Sequence, residues 1–379
     1  MDKKSIRSNL LIIAVAIIIG IILYVEKPFQ KQSDLGTGSG GLAMTEDGLV
    51  EDTSSYPDAP ELQGISHWIN SNPLEISRLK GKVVLVDFWT YSCINCIRTL
   101  PYLKDWHDKY ADDGLVIIGV HTPEFKFEKE IANVEAAVKG FGVMYPVAMD
   151  NDYRTWNAYG NRWWPHKYLI DKNGKVRYDH IGEGGYAETE SQIVRLLKEI
   201  NQDVEKKDSD VKDESGGLGR LFQTPELYAG YDFARVDLGN DEGYAPDQIV
   251  DYKEPESISA DRIYAAGKWL NNGDNLKHAE NAEGKILLRY TSRAVHVVAD
   301  TAEPNSPAMI EVLLDGNSLN VKNAGRDVEI DAESGKSMMK VDRARLYNVI
   351  SENADYGSHM LTLASNDNKF MIYTFTFGS

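Results

Sequence analysis

Cysteine is nearly absent: the 379 residues hold two, Cys93 and Cys96. That scarcity excludes a disulfide framework. It also leaves a structural zinc site short of ligands, since such sites take about four and draw on two Cys-x-x-Cys arms or paired histidines. The eight histidines (His67, His107, His121, His166, His180, His278, His296 and His359) are scattered, with no H-x3-5-H spacing among them. No metal is therefore expected. Basic residues are outnumbered, with 41 Lys and Arg against 58 Asp and Glu and a formal net charge of −17. No basic patch or stripe stands out, which argues against nucleic acid as a partner. Gly182-Glu183-Gly184-Gly185 lacks the spacing and the lysine of a phosphate loop. Asp150-Asn151-Asp152 begins like a calcium loop but has no glycine at the sixth place. Beyond residue 257 the chain has one tryptophan, Trp269, thin material for an aromatic platform that stacks on sugars.

What the chain does have is FWTYSCINCIRTLP, residues 88–101, which carries both cysteines two residues apart. A pair this close reads as half of a zinc site, a staple or a redox dithiol. The zinc reading lacks its other ligands, and a staple would close almost no loop and so stabilise little. The redox reading is left, and its flanks support it. Residues 83–88 (VVLVDF) form a continuous apolar run ended by one acid, the pattern of a buried strand in a parallel or mixed sheet. Leu100, Leu103, Trp106 and Tyr110 then follow with helical spacing. The pair thus opens a helix directly after a central strand. Unpaired backbone N–H groups and the positive end of the helix dipole favour a thiolate there. Cys93 is expected as the exposed nucleophile and Cys96, one turn in, as the resolving thiol.

These residues resemble the thioredoxin superfamily position by position. Asp87 stands six residues before Cys93, where thioredoxins carry a buried acid that handles the resolving thiol's proton. Trp89 matches their active-site tryptophan and Pro101 their helix-kinking proline. Residues 163–171, WWPHKYLID, match the strand that opens with a cis-proline facing the disulfide. The resemblance therefore implies that Pro165 is cis and docks substrate together with Trp89 and Trp164. A helical stretch over 124–140, between strands at Leu115–His121 and 146–150, is similar to the insert of TlpA-like, membrane-tethered thioredoxins. The wording "GVHTPEF" and "RWWPHKYLID" looks most like the thioredoxin domain of DipZ proteins. His121 and Glu124 follow a strand end and are weaker site candidates; a turn leading into a helix explains them without function. The resemblance implies no cofactor beyond the redox-active Cys93–Cys96 pair.

Length suggests two domains. Residues 1–8 read as a cytosolic tail and 9–25 as a transmembrane signal anchor: 10–25 is the apolar run LLIIAVAIIIGIILYV, and Lys3, Lys4 and Arg7 precede it. A cleaved signal peptide is the alternative, but no Ala-x-Ala-like site follows Val25. Either way the remainder is expected outside the cytoplasmic membrane, where disulfides persist. Residues 26–60 read as a flexible tether. Residues 61–200 form the thioredoxin-like α/β domain, three layers around a mixed sheet. Residues 201–256 read as an acidic linker and connector. Short strands with turn signals over 257–379 argue an all-β, jelly-roll-like sandwich. DipZ proteins likewise place a carbohydrate-binding-module-like sandwich after the thioredoxin domain, and "TPELYAGY", "RLYNVI" and "YTFTFG" look like it. One departure is large. DipZ proteins begin with a multi-span domain that carries electrons inward, whereas this sequence offers one span with no cysteine in it.

The expected protein is a single-pass, cell-membrane thiol–disulfide oxidoreductase with its catalytic domain outside. It would be supplied with electrons by a separate membrane partner. Its expected partners are disulfides of exported proteins, with apocytochrome c suggested by the TlpA-like resemblance, and a glycan or protein ligand for the sandwich. The dipeptide Ile94-Asn95 lacks the histidine of strongly oxidising members, which favours reduction. Two other classes compete. A thiol peroxidase has support in Thr90, three before Cys93, but Val86 stands where its P-x-x-x-T-x-x-C motif needs proline. A glycan- or partner-binding protein with an accessory redox domain is the other.

Overall fold

The computed structural model describes residues 42–45, 48–51, 53–209, 211 and 222–378. The expected cytosolic tail (1–8) and anchor (9–25) lie outside these. Among the described residues no helix is long and apolar enough to cross a membrane. Part of the expected tether is ordered structure. Strands β1 (Leu42–Thr45) and β2 (Gly48–Glu51) pair as a hairpin. Residues 57–59 then lie along the sheet edge, where Val176 N donates to Pro57 O at 2.9 Å and Ala59 N to Gly174 O at 2.9 Å.

The first domain is built on β3 (His67–Ile69), β4 (Val83–Trp89), β5 (Leu115–His121), β6 (Val147–Met149), β7 (His166–Ile170) and β8 (Val176–Ile181). Their spatial order is β3-β6-β5-β4-β7-β8; β4, β5 and β6 run parallel and the others antiparallel. Helices α1 (Ile94–Tyr110), α2 (Ile131–Phe141), α3 (Arg154–Ala158) and α4 (Tyr186–Lys198) cover the two faces. Every residue of β4 is buried, because a central strand capped on both sides has no solvent face. Alternation along β4 sorts its side chains. Val83, Leu85 and Trp89 join the core beneath α1, α2 and α4, while Val84, Val86 and Phe88 join the opposite core with Trp156, Tyr159 and Tyr168. Asp87 has the parity of the first set, so it lies on the face that α1 and Cys96 cover.

The second domain has strands β9 (Leu227–Tyr228), β10 (Ile249–Tyr252), β11 (Ile263–Asn271), β12 (Leu276–His278), β13 (Gly284–Ser292), β14 (Ala294–Thr301) and β15 (Ala308–Leu314). They are followed by β16 (Asn317–Ser318), β17 (Val328–Ile330), β18 (Ser337–Val341), β19 (Arg345–Ile350), β20 (Gly357–Ser365) and β21 (Phe370–Gly378). All their pairings are antiparallel. One sheet runs β17-β18-β15-β20-β13-β11 and the other β11-β12-β21-β14-β19, with β11 shared. Gly267 marks the switch: its φ is 82°, and a Cβ there would meet the Glu283 carbonyl oxygen at 2.8 Å. The segment expected as a connector thus contributes β9 and β10, which pair with β21 and β11. Trp269, the one aromatic available for a sugar platform, is fully buried in the sandwich core and packs on His278 and Phe370.

The two domains share a core. In β14, Val295, Val297 and Ala299 point into the sandwich, while Val298 joins the core of the first domain. On β21, Tyr373 packs against Phe125 and Phe127 at ring distances of 5.2 and 4.8 Å. The sheet carrying β21, β14 and β19 is therefore covered on both faces, which is why β14 is buried nearly throughout.

Candidate active site

Cys93 is the N-cap of α1. Its Sγ accepts the Cys96 backbone N–H at 3.3 Å, and its carbonyl accepts the Ile97 N–H at 2.9 Å. A polar atom at the cap satisfies one of the donors a helix start leaves free. Both cysteines are free thiols, Cys93 half-buried and Cys96 1 % exposed. Burial pushes the Cys96 thiol well up, helped by its hydrogen bond to Cys93 and by the charge of Asp87. Cys96 therefore stays protonated until something takes its proton.

Asp87 is the acid placed to do so. It is 1 % exposed, and its Oδ1 has no hydrogen-bond partner among the described residues. Burial raises its carboxyl to about 7, against the opposing pull of Lys167. Lys167 was not anticipated as a site residue. The β4–β7 register sets it directly across from Asp87, its Nζ 3.9 Å from Asp87 Oδ1, and its side chain is fully buried. Its Nζ donates to Gly182 O at 3.4 Å, and burial lowers its pKa. The same register, with Phe88 opposite His166, brings the Trp164–Pro165 peptide to the end of β4 from which Cys93 follows. That peptide is cis.

The other sequence candidates divide. Trp164 is half-buried, its ring 4.3 Å from that of Trp156 and its Nε1 donating to Thr122 O at 3.1 Å. The neighbouring Trp163 is 48 % exposed and is the more available ring. Trp89, expected to dock substrate, is instead fully buried: its indole fills the space over Gly119, where a Cβ would come within 2.9 Å of Nε1. His121 is fully buried too, edge-on to Trp89 and stacked on Tyr91, with Nε2 3.4 Å from Thr90 Oγ1. Burial lowers it to about 3, so it is a neutral packing residue and not a proton carrier at neutral pH. Glu124 faces the second domain: the Tyr228 hydroxyl lies 2.6 Å from its Oε1 and 2.9 Å from Glu226 Oε2. Burial and Glu226 push Glu124 up to about 8.

Glu128 is a further residue the sequence did not flag. It is fully buried and accepts from Ser92 Oγ at 2.6 Å, Ser92 N at 3.3 Å, Glu124 N at 2.6 Å and Phe125 N at 3.0 Å. It pins the loop before Cys93 to the loop after β5. Among the described residues no group of three or more His, Cys, Asp or Glu is placed to hold a metal ion.

A half-buried thiol capping a helix, a buried thiol one turn in, and a buried acid on the same face define a thioredoxin-type dithiol site. The comparisons agree. Residues 59–197 match the Redoxin family, and residues 224–378 match the thioredoxin like C-terminal domain family. The chain is 38 % identical over 264 residues to Protein DipZ of Mycobacterium bovis and of Mycobacterium tuberculosis, a match taking in 68 % of this chain and 37 % of DipZ. The chain thus spans little more than a third of those relatives. It is 34 % identical over 132 residues to the thiol-disulfide oxidoreductase ResA of Bacillus thuringiensis, covering 35 % of this chain and 71 % of ResA. Against the thiol-disulfide oxidoreductase YkuV of Bacillus subtilis it is 28 % identical over 140 residues, 37 % of this chain and 94 % of YkuV. The chain belongs to the thioredoxin superfamily, as a Redoxin domain joined to a thioredoxin like C-terminal domain.

Proposed function

We propose that this chain is a membrane-tethered, extracytoplasmic thiol–disulfide oxidoreductase that reduces disulfides of exported proteins. The observation that carries the reading is the buried Asp87–Lys167 pair on the same face as Cys96, below the more exposed Cys93. In the reductive direction the Cys93 thiolate attacks one sulfur of a substrate disulfide. A Cys93–substrate bond forms and the other substrate sulfur leaves as a thiolate, which takes a proton from water. Asp87 then accepts the Cys96 proton, and the Cys96 thiolate attacks Cys93 Sγ. The Cys93–Cys96 disulfide forms and the second substrate thiolate is released, so two electrons have passed to substrate. The raised pKa of Asp87 suits it to this transfer near neutrality.

The outward placement is supported by the apolar run 10–25 behind Lys3, Lys4 and Arg7. Return of electrons to the disulfide falls to a separate membrane partner. Apocytochrome c haem-site cysteines are one candidate substrate, on the TlpA-like resemblance. The test is insulin reduction and a potential titration in glutathione buffers with residues 26–379. The reading expects Cys93→Ser to be inactive, Cys96→Ser to trap mixed disulfides, and a potential near that of thioredoxin, about −270 mV. A potential near −120 mV, the value of a strong oxidant, would reverse the direction.

A further inference from the structure

Between α1, α2 and the second domain lies a cleft of about 450 Å³. Its floor is apolar, with Ile97, Ala137, Phe141 and Leu346, and its rim carries Arg326, Arg343 and Arg345 against one acid, Asp327. Three cations and one anion line a single cleft in a chain whose net charge is −17. The arginines are not equivalent. Arg345 is committed: its Nη1 pairs with Asp327 Oδ1 at 2.8 Å, its Nε lies 3.7 Å from Asp342, and its guanidinium stacks 3.7 Å from the Tyr347 ring centre. Asp327 is also occupied, since its Oδ2 accepts the Asn348 N–H at 2.8 Å. Arg326 reaches that oxygen only at 3.8 Å, and Arg343 has no ion pair among the described residues. Both are exposed. The least compensated charge of the cleft therefore sits on Arg343, with Arg326 held only by that longer contact.

Neither cysteine lines the cleft, but Tyr91 and Ile97, which flank the dithiol in sequence, do. Ile97 is four residues after Cys93, about one turn further on the same helix face, so the floor begins about 6 Å along α1 from Cys93. Tyr91, two residues before Cys93, forms the near wall, and its hydroxyl reaches Ala344 O at 3.4 Å. We propose that this interdomain cleft is a substrate subsite for an acidic, apolar peptide segment flanking the attacked cysteine of a protein disulfide. An aliphatic or aromatic side chain would fill the floor, and an Asp or Glu carboxylate would pair with Arg343 and Arg326, whose planar forks suit that geometry. The second domain thereby selects substrates for the first. The inference rests on the disulfide-exchange reading above.

The test compares two disulfide-bridged peptides, identical except that one carries Leu-Glu-Glu beside the cysteine and the other Leu-Gln-Gln. With residues 26–379 at low salt, kcat/KM is expected to favour the acidic peptide by about tenfold, the worth of one charge-assisted hydrogen bond. That ratio should shrink at 0.5 M salt and fall to about one in the double variant Arg326→Gln, Arg343→Gln. A ratio near one in the parent, or a ratio that survives both substitutions, overturns the subsite. If neither peptide is reduced, the exchange reading fails. The subsite is then decided by fluorescence anisotropy of labelled linear peptides: a Kd ratio that the two substitutions abolish upholds it, and equal Kd values reject it.

Discussion

Asp87→Asn should make the protein more stable and less active at the same pH. At about 1.36 kcal/mol per pH unit, moving a buried carboxyl from 3.8 to about 7 makes its ionised form about 4 kcal/mol costlier in the folded chain. The folded pKa lies above the unfolded one, so the native state holds the extra proton between those values. This contribution to stability is therefore complete below about pH 4 and lost as pH rises through about 7. The parent should show that slope in urea denaturation carried out from pH 4 to pH 8, and the Asn variant should be shallower across it, keeping only the part due to other groups such as Glu124. At pH 8 the variant should gain about 2 to 4 kcal/mol, the lower figure because Lys167 loses its counter-charge. Turnover should move the other way. Without an acceptor for the Cys96 proton, release of the mixed disulfide should slow by about 10²-fold at pH 8, and the acid limb near pH 7 should vanish. A variant that keeps the parent's stability slope, or keeps an acid limb near 7, would refute the assignment of Asp87 as the buried proton acceptor.

Two further substitutions probe the charges around this core. Lys167→Met removes the cation that holds Asp87 down, so the acid limb of turnover should shift above pH 7; a pH–rate profile that does not move would show that the pair is not coupled. Glu124→Gln bears on the domain contact. The Glu124 carboxyl rises from 4.5 to about 8, and Glu226, Glu128, Tyr228 and Arg235 all face it, so the parent should lose stability as pH climbs from about 4.5 to about 8. The Gln variant should show a shallower slope in the same urea series, and an unchanged slope would remove Glu124 from the account.

Much of the site was legible because it is local. The strand-then-helix pattern around residues 83–110 places both cysteines, and six residues of spacing give Asp87 its position. Parity along β4 then fixes which face the acid occupies. Lys167 was printed in the same sequence but not recognisable, because its partnership with Asp87 depends on the register between two strands eighty residues apart. Glu128 was hidden for a related reason: it satisfies four donors drawn from two loops that only the fold brings together. Trp89 misled because its family position suggests a surface ring, whereas Gly119 opposite leaves a slot that draws the indole inward. The β9 and β10 strands escaped notice because β9 is two residues long and β10 is largely exposed, so neither writes a period into the sequence.

The shared core predicts that the first domain does not stand alone. Tyr91, Ile94, Phe125 and Phe127 are all buried in a cluster that also contains Tyr228, Val298, Leu346 and Tyr373 of the second domain. A fragment of residues 53–209 would return much of that apolar surface to water, beside the Cys93 loop. Fully burying one such side chain is worth about 1.5 to 3 kcal/mol, and several would be uncovered together, a large share of a net stability of about 5 to 15 kcal/mol. The fragment should therefore melt well below the two-domain protein and bind a hydrophobic dye. The loss should be greatest near the dithiol, because Phe125 and its neighbour Glu128 brace the loop that carries Ser92. Replacing Phe125 and Phe127 by serine in the fragment should reduce dye binding without restoring the melting temperature of the two-domain protein. A fragment that melts with the parent and binds no dye would mean that the second domain rests on the first without supporting it.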